Sequence, residues 1–291
     1  MELARLGVKP NFQVQRLIGR EAEKRNLNAA LDRALRFKSP QFVTLLGHAG
    51  IGKSRLLAEW LRETGERGDF RTVFVSAVGA AAGALPGGAI GHLLRARIGI
   101  GYDMGESSAS ALFREELQRV FGDRRVSELA GLLGAFIGLP ATESPLVQSL
   151  AMRPEQLAEL SQAVLGRFLE EDARQHPVLY VVDDAHLADN ASLELLARLR
   201  TDLGESSLAV VVAARPELLV RRPGWSRVEG SHVRMDLGAL SPLEMDVFIR
   251  CALGAETLAP GLAERAADES GGNPSLLGEL LCAYHEHGIL A

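Results

Sequence analysis

The stretch Gly47–Ser54, GHAGIGKS, carries the clearest chemistry in the chain. It fits G-x-x-x-x-G-K-[ST] at every position and lies between a short apolar run and an amphipathic segment. Gly47, Gly50 and Gly52 let the backbone turn sharply and aim amide N–H groups at phosphate oxygens. The helix expected next would point its partially positive end at the same anions. Lys53 adds a compact ammonium for β- and γ-phosphates, about 4 kcal/mol per close charge pair at an effective dielectric near 20. Lysine is otherwise scarce: Lys9, Lys24 and Lys38 come earlier, none follows, and arginine carries nearly all the remaining positive charge. A point charge on a flexible stem does a different job from a planar guanidinium. Ser54 offers a hydroxyl to a magnesium ion. The candidate nucleotide-binding segment is therefore Gly47, His48, Ala49, Gly50, Ile51, Gly52, Lys53, Ser54 and Arg55. His48 occupies a position the motif leaves free and is expected to be exposed.

A nucleotide-hydrolysing site also needs an acid on a neighbouring strand. The segment PVLYVVDDAH supplies Asp183 and Asp184 at the carboxyl end of an apolar run, where open α/β sheets place their ligands. Asp183 is the candidate Mg²⁺ residue, through water, because Mg²⁺ retains much of its hydration. Asp184 is then free to orient or deprotonate an attacking water. Arg215, in VVVAARP, is placed to reach a γ-phosphate from the sheet edge and report its presence. Asp236 has only its location to recommend it.

These residues need a scaffold. Gln41–Leu46, Arg71–Ser76, Pro177–Val182, Leu208–Ala214 and Val233–Leu237 read as strands, and Lys53–Glu66 and Asn190–Thr201 as amphipathic helices. Continuous apolar strands alternating with helices argue for a parallel sheet covered on both faces. Residues 79–153 break the rhythm and read as a helical insertion between the second and third strands, with helices at Ala109–Phe121 and Val126–Phe136. Its apolar patch LLGAFIGL is expected to be a buried helix rather than a partner surface. From Leu240 the pattern is helical, opening on a capping box in which Ser241 precedes Pro242 and Glu244. Residues 1–238 are thus expected to form a nucleotide-binding α/β domain and 239–291 a helical lid.

The 291 residues, 47% hydrophobic and with a net charge of -5, suffice for a real core. The acidic balance disfavours direct nucleic-acid binding, and the pairs Arg124–Arg125 and Arg221–Arg222 are expected to be solvated surface. Cys251 and Cys282 are far apart without metal-ligand spacing, which fits packed thiols in a reducing cytoplasm. No signal peptide is evident, and the most apolar stretches, near Ala77–Leu94 and Leu129–Pro140, are broken or too short to span a bilayer.

The set IGREAE (Ile18–Glu23), GHAGIGKSRLL (Gly47–Leu57), LYVVDDAHLAD (Leu179–Asp189), AARP (Ala213–Pro216) and GGNPSLLGELL (Gly271–Leu281) resembles the ATPase module of the STAND regulators. These are AAA+-related signal-transduction ATPases, as in large LuxR-type transcriptional regulators. The resemblance covers about Leu17 to Ala291 and is weakest between Gly79 and Arg153. It implies a P-loop α/β sandwich with a five-stranded parallel sheet in the order 5-1-4-3-2 and a helical lid closing over ATP or ADP. It implies Gly19, Arg20 and Glu21 near the adenosine, and Asn273–Pro274 as the element that packs Pro274 against adenine or ribose. Leu187 stands where relatives often carry Trp. Slow hydrolysis, tight ADP retention, partner domains and a nucleotide-dependent oligomer are further implications. The family normally continues into winged-helix, repeat and output domains, whereas this chain stops at Ala291, which makes it either a piece of a longer chain or a stand-alone module.

An ATP-dependent switch is the leading reading. The alternatives are a processive motor or small-molecule kinase, and a scaffold that holds nucleotide without turnover. A motor would need a trans-acting arginine such as Arg221 or Arg222. Intact Asp183 and Asp184 disfavour the scaffold. A GTPase lacks its NKxD element here, an ABC-type signature is incomplete, and an origin-recognition-like DNA loader is weakened by the acidic balance.

Overall fold

The computed structural model describes residues 16–78, 85–122, 126–140, 144–199, 204–227, 230–256, 258 and 261–287. Arg124, Arg125 and the end of the helix expected over Asn190–Thr201 fall outside them. The chain divides into two compact units, one of Met1–Arg25, Gly47–Trp60 and Asp236–Ala291, the other of Asn26–Leu46 and Leu61–Met235.

The larger unit holds the sheet. Its strands are β1 (Gln41–Leu46), β2 (Arg71–Ser76), β3 (Val178–Asp183), β4 (Leu208–Ala214) and β5 (His232–Asp236), in the order β2-β3-β4-β1-β5. The pairs β1/β4, β3/β4 and β2/β3 are parallel. This is the expected P-loop α/β arrangement, read from the opposite edge. β1, β3 and β4 are buried at every residue, so their uninterrupted apolar runs match layers covered on both faces. β2 lies at one edge of the sheet, as the expected order has it, but it is not covered on both faces: Arg71, Thr72 and Phe74 are exposed. β3 begins one residue later than expected. Pro177 has no N–H for a ladder and instead accepts the Arg71 amide at 2.9 Å. Beneath β1, the buried Thr44 hydroxyl accepts the Trp225 indole N–H at 2.9 Å and meets His232 Nε2 at 2.9 Å.

α1 (Glu21–Phe37), which begins in the smaller unit, runs into β1, and α2 (Lys53–Arg67) leaves the glycine-rich loop. α3 (Gly88–Ile98), α4 (Glu106–Phe121), α5 (Val126–Gly134), α6 (Pro145–Leu150) and α7 (Pro154–Gln175) lie between β2 and β3. Residues described as an insertion are part of the main core: Leu93, Phe113, Leu117, Leu133 and Ile137 share one apolar cluster with Val182 of β3. The LLGAFIGL patch is buried as expected, with Leu133 and Ile137 fully enclosed.

A single carboxylate organises this helical layer. Asp172 of α7 is fully buried and accepts Arg97 Nε of α3 at 2.6 Å and Arg119 Nη2 of α4 at 2.9 Å, with Arg71 of β2 at 3.6 Å. Burial alone would raise its pKa, but the bonds and charges of Arg97 and Arg119 hold it below the ordinary carboxylate value.

The smaller unit carries α10 (Pro242–Leu253), α11 (Leu262–Ser270) and α12 (Pro274–Glu286), the helices expected as the lid, with α8 (Asn190–Leu199) and α9 (Glu217–Arg221) preceding them in the larger unit. Met245, Ile249, Ala266, Leu277, Leu281 and Tyr284 form their core. The capping box is present: Ser241 Oγ accepts Glu244 N at 3.3 Å, and Ser241 N donates to Glu244 Oε2 at 2.7 Å. Cys251 is exposed rather than packed, while Cys282 is half-buried. The core face of α10 is taken by Met245 and Ile249, which leaves Cys251 on another face. Among the described residues no helix is long and apolar enough to cross a membrane.

Asp172→Asn should destabilise the protein by about 3–5 kcal/mol near neutral pH, because it takes from the buried Arg97 its closer anion and leaves it only Glu116 at 3.3 Å. The stabilisation from Asp172 is present above the unfolded carboxylate pKa and is lost as pH falls through the lower folded pKa. Urea unfolding of wild type and variant at descending pH should therefore show the gap closing only in strong acid.

Candidate functional site

The glycine-rich loop departs directly from the carboxyl end of β1. Gly47 has no room for a side chain: a Cβ there would lie 2.7 Å from Ile51 Cγ2 and 3.2 Å from Leu237 Cβ. Gly50 and Gly52 have φ of +74° and +100°, conformations that L side chains rarely adopt.

Every carbonyl from Gly47 to Ile51 has a donor. Lys53 Nζ donates to Gly47 O at 2.8 Å and His48 O at 3.0 Å. Asn273 Nδ2 donates to Ala49 O at 2.8 Å, and Ser275 N to Gly50 O at 3.3 Å. Arg20 Nη2 donates to Ile51 O at 3.2 Å. In a trans peptide the C=O and the following N–H point in opposite directions, and no described peptide is cis. Holding five successive carbonyls therefore sets the direction of the N–H groups of His48 to Gly52. The Ile51 N–H also closes a turn onto His48 O at 3.4 Å. The loop is shaped to present amides, as an anion cradle requires.

Arg20 is buried, with φ of +75°, so it is not a surface residue of the first helical turn. Besides Ile51 O it donates to Gly238 O at 2.7 Å and pairs with Glu23 at 3.4 Å. Gly19, at φ of +68°, faces the Glu244 carboxylate, which a Cβ there would overlap. The Ser241 backbone N–H, with a smaller contribution from the Arg20 charge, holds Glu244 below the usual carboxylate range. Beside these residues an open cleft of about 260 Å³ is lined by Leu17, Ile18, Gly19, Leu243, Glu244 and Val247. His48, Ser54 and Arg55 are exposed and Lys53 is buried.

Pro274 is the first residue of α12, preceded by Asn273 as N-cap, whose Oδ1 accepts Ser275 N at 3.0 Å and Leu276 N at 3.4 Å. Gly271 and Gly272, both at positive φ, carry the chain from α11 into this cap. Sequence reasoning singled out Asn273–Pro274 for a base-packing role and missed the bonds of Asn273 and Ser275 to the loop. The signal was the cap itself: Gly-Gly-Asn-Pro marks a sharp helix start, but not what the start touches.

In the larger unit, Asp183 is 4% exposed and its Oδ1 accepts the Asp184 amide at 2.8 Å. Asp184 is half-buried with φ of +53°, a strained position for a non-glycine residue. Val182 pairs with Val212, and Val212 with Thr44, so Asp183 stands level with Leu45 at the carboxyl end of the sheet. Arg215 is half-buried just past β4, and its amide donates to His186 Nδ1 at 3.4 Å. Asp236 is exposed. Arg221 is exposed, as expected, and Arg222 half-buried, but both also make bonds: Arg221 donates to His186 O at 2.5 Å and Asn190 Oδ1 at 3.1 Å, and Arg222 to Asn190 O at 2.9 Å. Both brace the chain after β3, which makes them poor trans-acting fingers.

A second bracket on that segment was not foreseen. Asp189 accepts Ser192 Oγ at 2.6 Å, Ser192 N at 2.8 Å and the Ala89 amide at 3.1 Å. Burial raises its pKa, but these bonds more than offset it and leave it lowered. Among the described residues no group of three or more His, Cys, Asp or Glu side chains could hold a metal unaided. Ser54 in the smaller unit and Asp183 in the larger each carry an oxygen donor of the kind that Mg²⁺ takes.

Residues 16–212 match the family model described as AAA ATPase domain. An uncharacterised protein of Rhizobium meliloti (strain 1021) is 29% identical over 279 residues, covering 91% of this chain and 24% of that protein. The chain thus spans about a quarter of the length of the curated relative it matches. Among solved structures, Drosophila ORC bound to DNA aligns with a TM-score of 0.58 at 14% identity, over 99% of this chain and 61% of that one. Cdc6p from Pyrobaculum aerophilum aligns with a TM-score of 0.52 at 17% identity, over 95% of this chain and 65% of that one. At these identities the likeness to the solved structures is one of fold.

Arg20→Lys keeps the charge but cannot span Ile51 O, Gly238 O and Glu23 together. It should cost about 1–3 kcal/mol, the range for buried carbonyls left without a donor, read by urea denaturation. Wild-type stability in that variant would show that the bridge contributes nothing.

Proposed function

The chain belongs to the AAA ATPase family, and from that premise we propose that it is an ATP-binding, slowly hydrolysing switch domain of a larger signal-transduction regulator of the STAND type. The observation that carries the reading is the loop itself: a complete GHAGIGKS whose carbonyls are bonded from Gly47 to Ile51, with Lys53 buried beside them. Such a loop suits phosphates of a nucleotide and has no evident use in a purely structural turn.

In this reading Lys53 meets the β- and γ-phosphates, and Ser54 together with Asp183, through water, holds Mg²⁺. The ion, when bound, offsets the negative charge that develops on the phosphoryl oxygens. Asp184 orients the attacking water and takes its proton, and Arg215 contacts the γ-phosphate. The cleft beside Gly19, with Leu17, Ile18, Leu243 and Val247 on its walls, takes the adenosine end, with Pro274 against the base or ribose. ATP and ADP differ only in what the γ-phosphate touches. That difference is what gives them unequal affinity for two lid positions, without which no switching occurs. The low share of the Rhizobium meliloti protein that this chain covers, 24%, is compatible with sensory and output domains elsewhere in such a regulator.

The test is the nucleotide content of freshly purified protein, released by heat and identified by chromatography. Near-stoichiometric ADP in the wild type and none in Lys53→Ala supports a switch resting in its ADP state. Empty protein that turns over added ATP rapidly points to a motor or kinase instead. Asp184→Asn should keep Mg-ATP and lose hydrolysis, and undiminished turnover would remove Asp184 from its role.

A further inference from the structure

We propose that Asn273 is a positioning residue of the phosphate cradle, so that the lid governs nucleotide release by tightening or loosening the loop itself. The proposal rests on the reading of that loop as a nucleotide site. Five loop carbonyls are held by four donor groups, and two of the four, Asn273 Nδ2 and Ser275 N, belong to the start of α12. They hold Ala49 O and Gly50 O. Through the planar peptides, they aim the Gly50 amide and, together with the turn onto His48 O, the Ile51 amide.

The fit between α12 and the loop is close. A Cβ at Gly50 would lie 2.7 Å from Asn273 Oδ1 and 2.7 Å from Ser275 Cβ, so the loop glycine is also what lets the helix start approach. Leu277, Leu281 and Tyr284 bury the far side of α12 in the helical core. The two donors therefore move with the lid as one body. When that body shifts, Ala49 and Gly50 lose both restraints together, and the amides they aim lose their fixed direction.

The chemistry at position 273 is specific. Its side chain accepts two amide bonds as helix cap and at the same time donates one to Ala49 O. Asp, Ser and Thr cap helices as well, but a carboxylate has no proton to donate. A hydroxyl is too short to cap the helix and reach Ala49 O together. Only an amide does both on so short a stem.

The experiment uses the whole chain with fluorescent mant-ADP as the probe. Dissociation is followed after mixing with excess ADP, for wild type, Asn273→Asp, Asn273→Ser and Lys53→Ala. Both Asn273 variants should release mant-ADP roughly tenfold faster, about the share of one hydrogen bond, while the melting temperature of the nucleotide-free protein stays at the wild-type value because the cap survives. Hydrogen exchange at Gly50–Gly52 should rise in both variants, with β3 unchanged. Faster release in Asn273→Asp alone would reflect added negative charge and would overturn the proposal. Release at the wild-type rate in both variants, with Lys53→Ala unable to bind, would overturn it while leaving the switch reading intact. No mant-ADP binding by the wild type would remove the switch reading and this proposal together.

Discussion

The planarity of the peptide bond is the constraint from which the loop takes its form. A loop that must offer several N–H groups to an anion cannot aim them directly; it can only be held by the carbonyls on their opposite faces. The chain meets this demand with donors from three places, one of them local: Lys53 at the start of α2, and two distant ones, Arg20 ahead of α1 and Asn273 with Ser275 at the start of α12. Glycine at 50 and 52 allows the positive φ angles that such an arrangement imposes. The cradle is therefore assembled by tertiary contacts, and it is as firm as those contacts.

The preference for arginine over lysine follows from the same geometry. A guanidinium has five donors in a fixed fork, and here such groups tie together elements far apart in sequence. Arg20 joins the carbonyls of Ile51 and Gly238; Arg97 and Arg119 converge on Asp172; Arg221 and Arg222 brace the segment after β3. Each is a bridge, and a flexible ammonium would make fewer of its bonds. Lys53 is the contrasting case, with several donors on one small nitrogen that reaches Gly47 O and His48 O from within the loop.

Buried charge in the larger unit does comparable work. Asp172 and its arginines sit where α3, α4, α7 and β2 meet, so residues between β2 and β3 that looked appended share the core of the sheet. The open face of β2 marks the other limit of that core.

By itself the sequence determined the strands, the parallel sheet, the capping box at Ser241 and the position of the glycine-rich loop between β1 and α2. These are local patterns: apolar run length, side-chain period and the conformational freedom of glycine act over a few residues and survive in any context. What only the tertiary structure decided were the partners. Nothing in the spacing of Arg20, Ala49 and Asn273 announces that they meet, because 224 positions separate Asn273 from Ala49 and a hydrogen bond leaves no periodic trace. The same holds for Asp172, an unremarkable acid in a charged helical segment until folding buries it among arginines from other elements. Local chemistry writes itself into consecutive residues, whereas a contact across the fold depends on where the whole chain has gone.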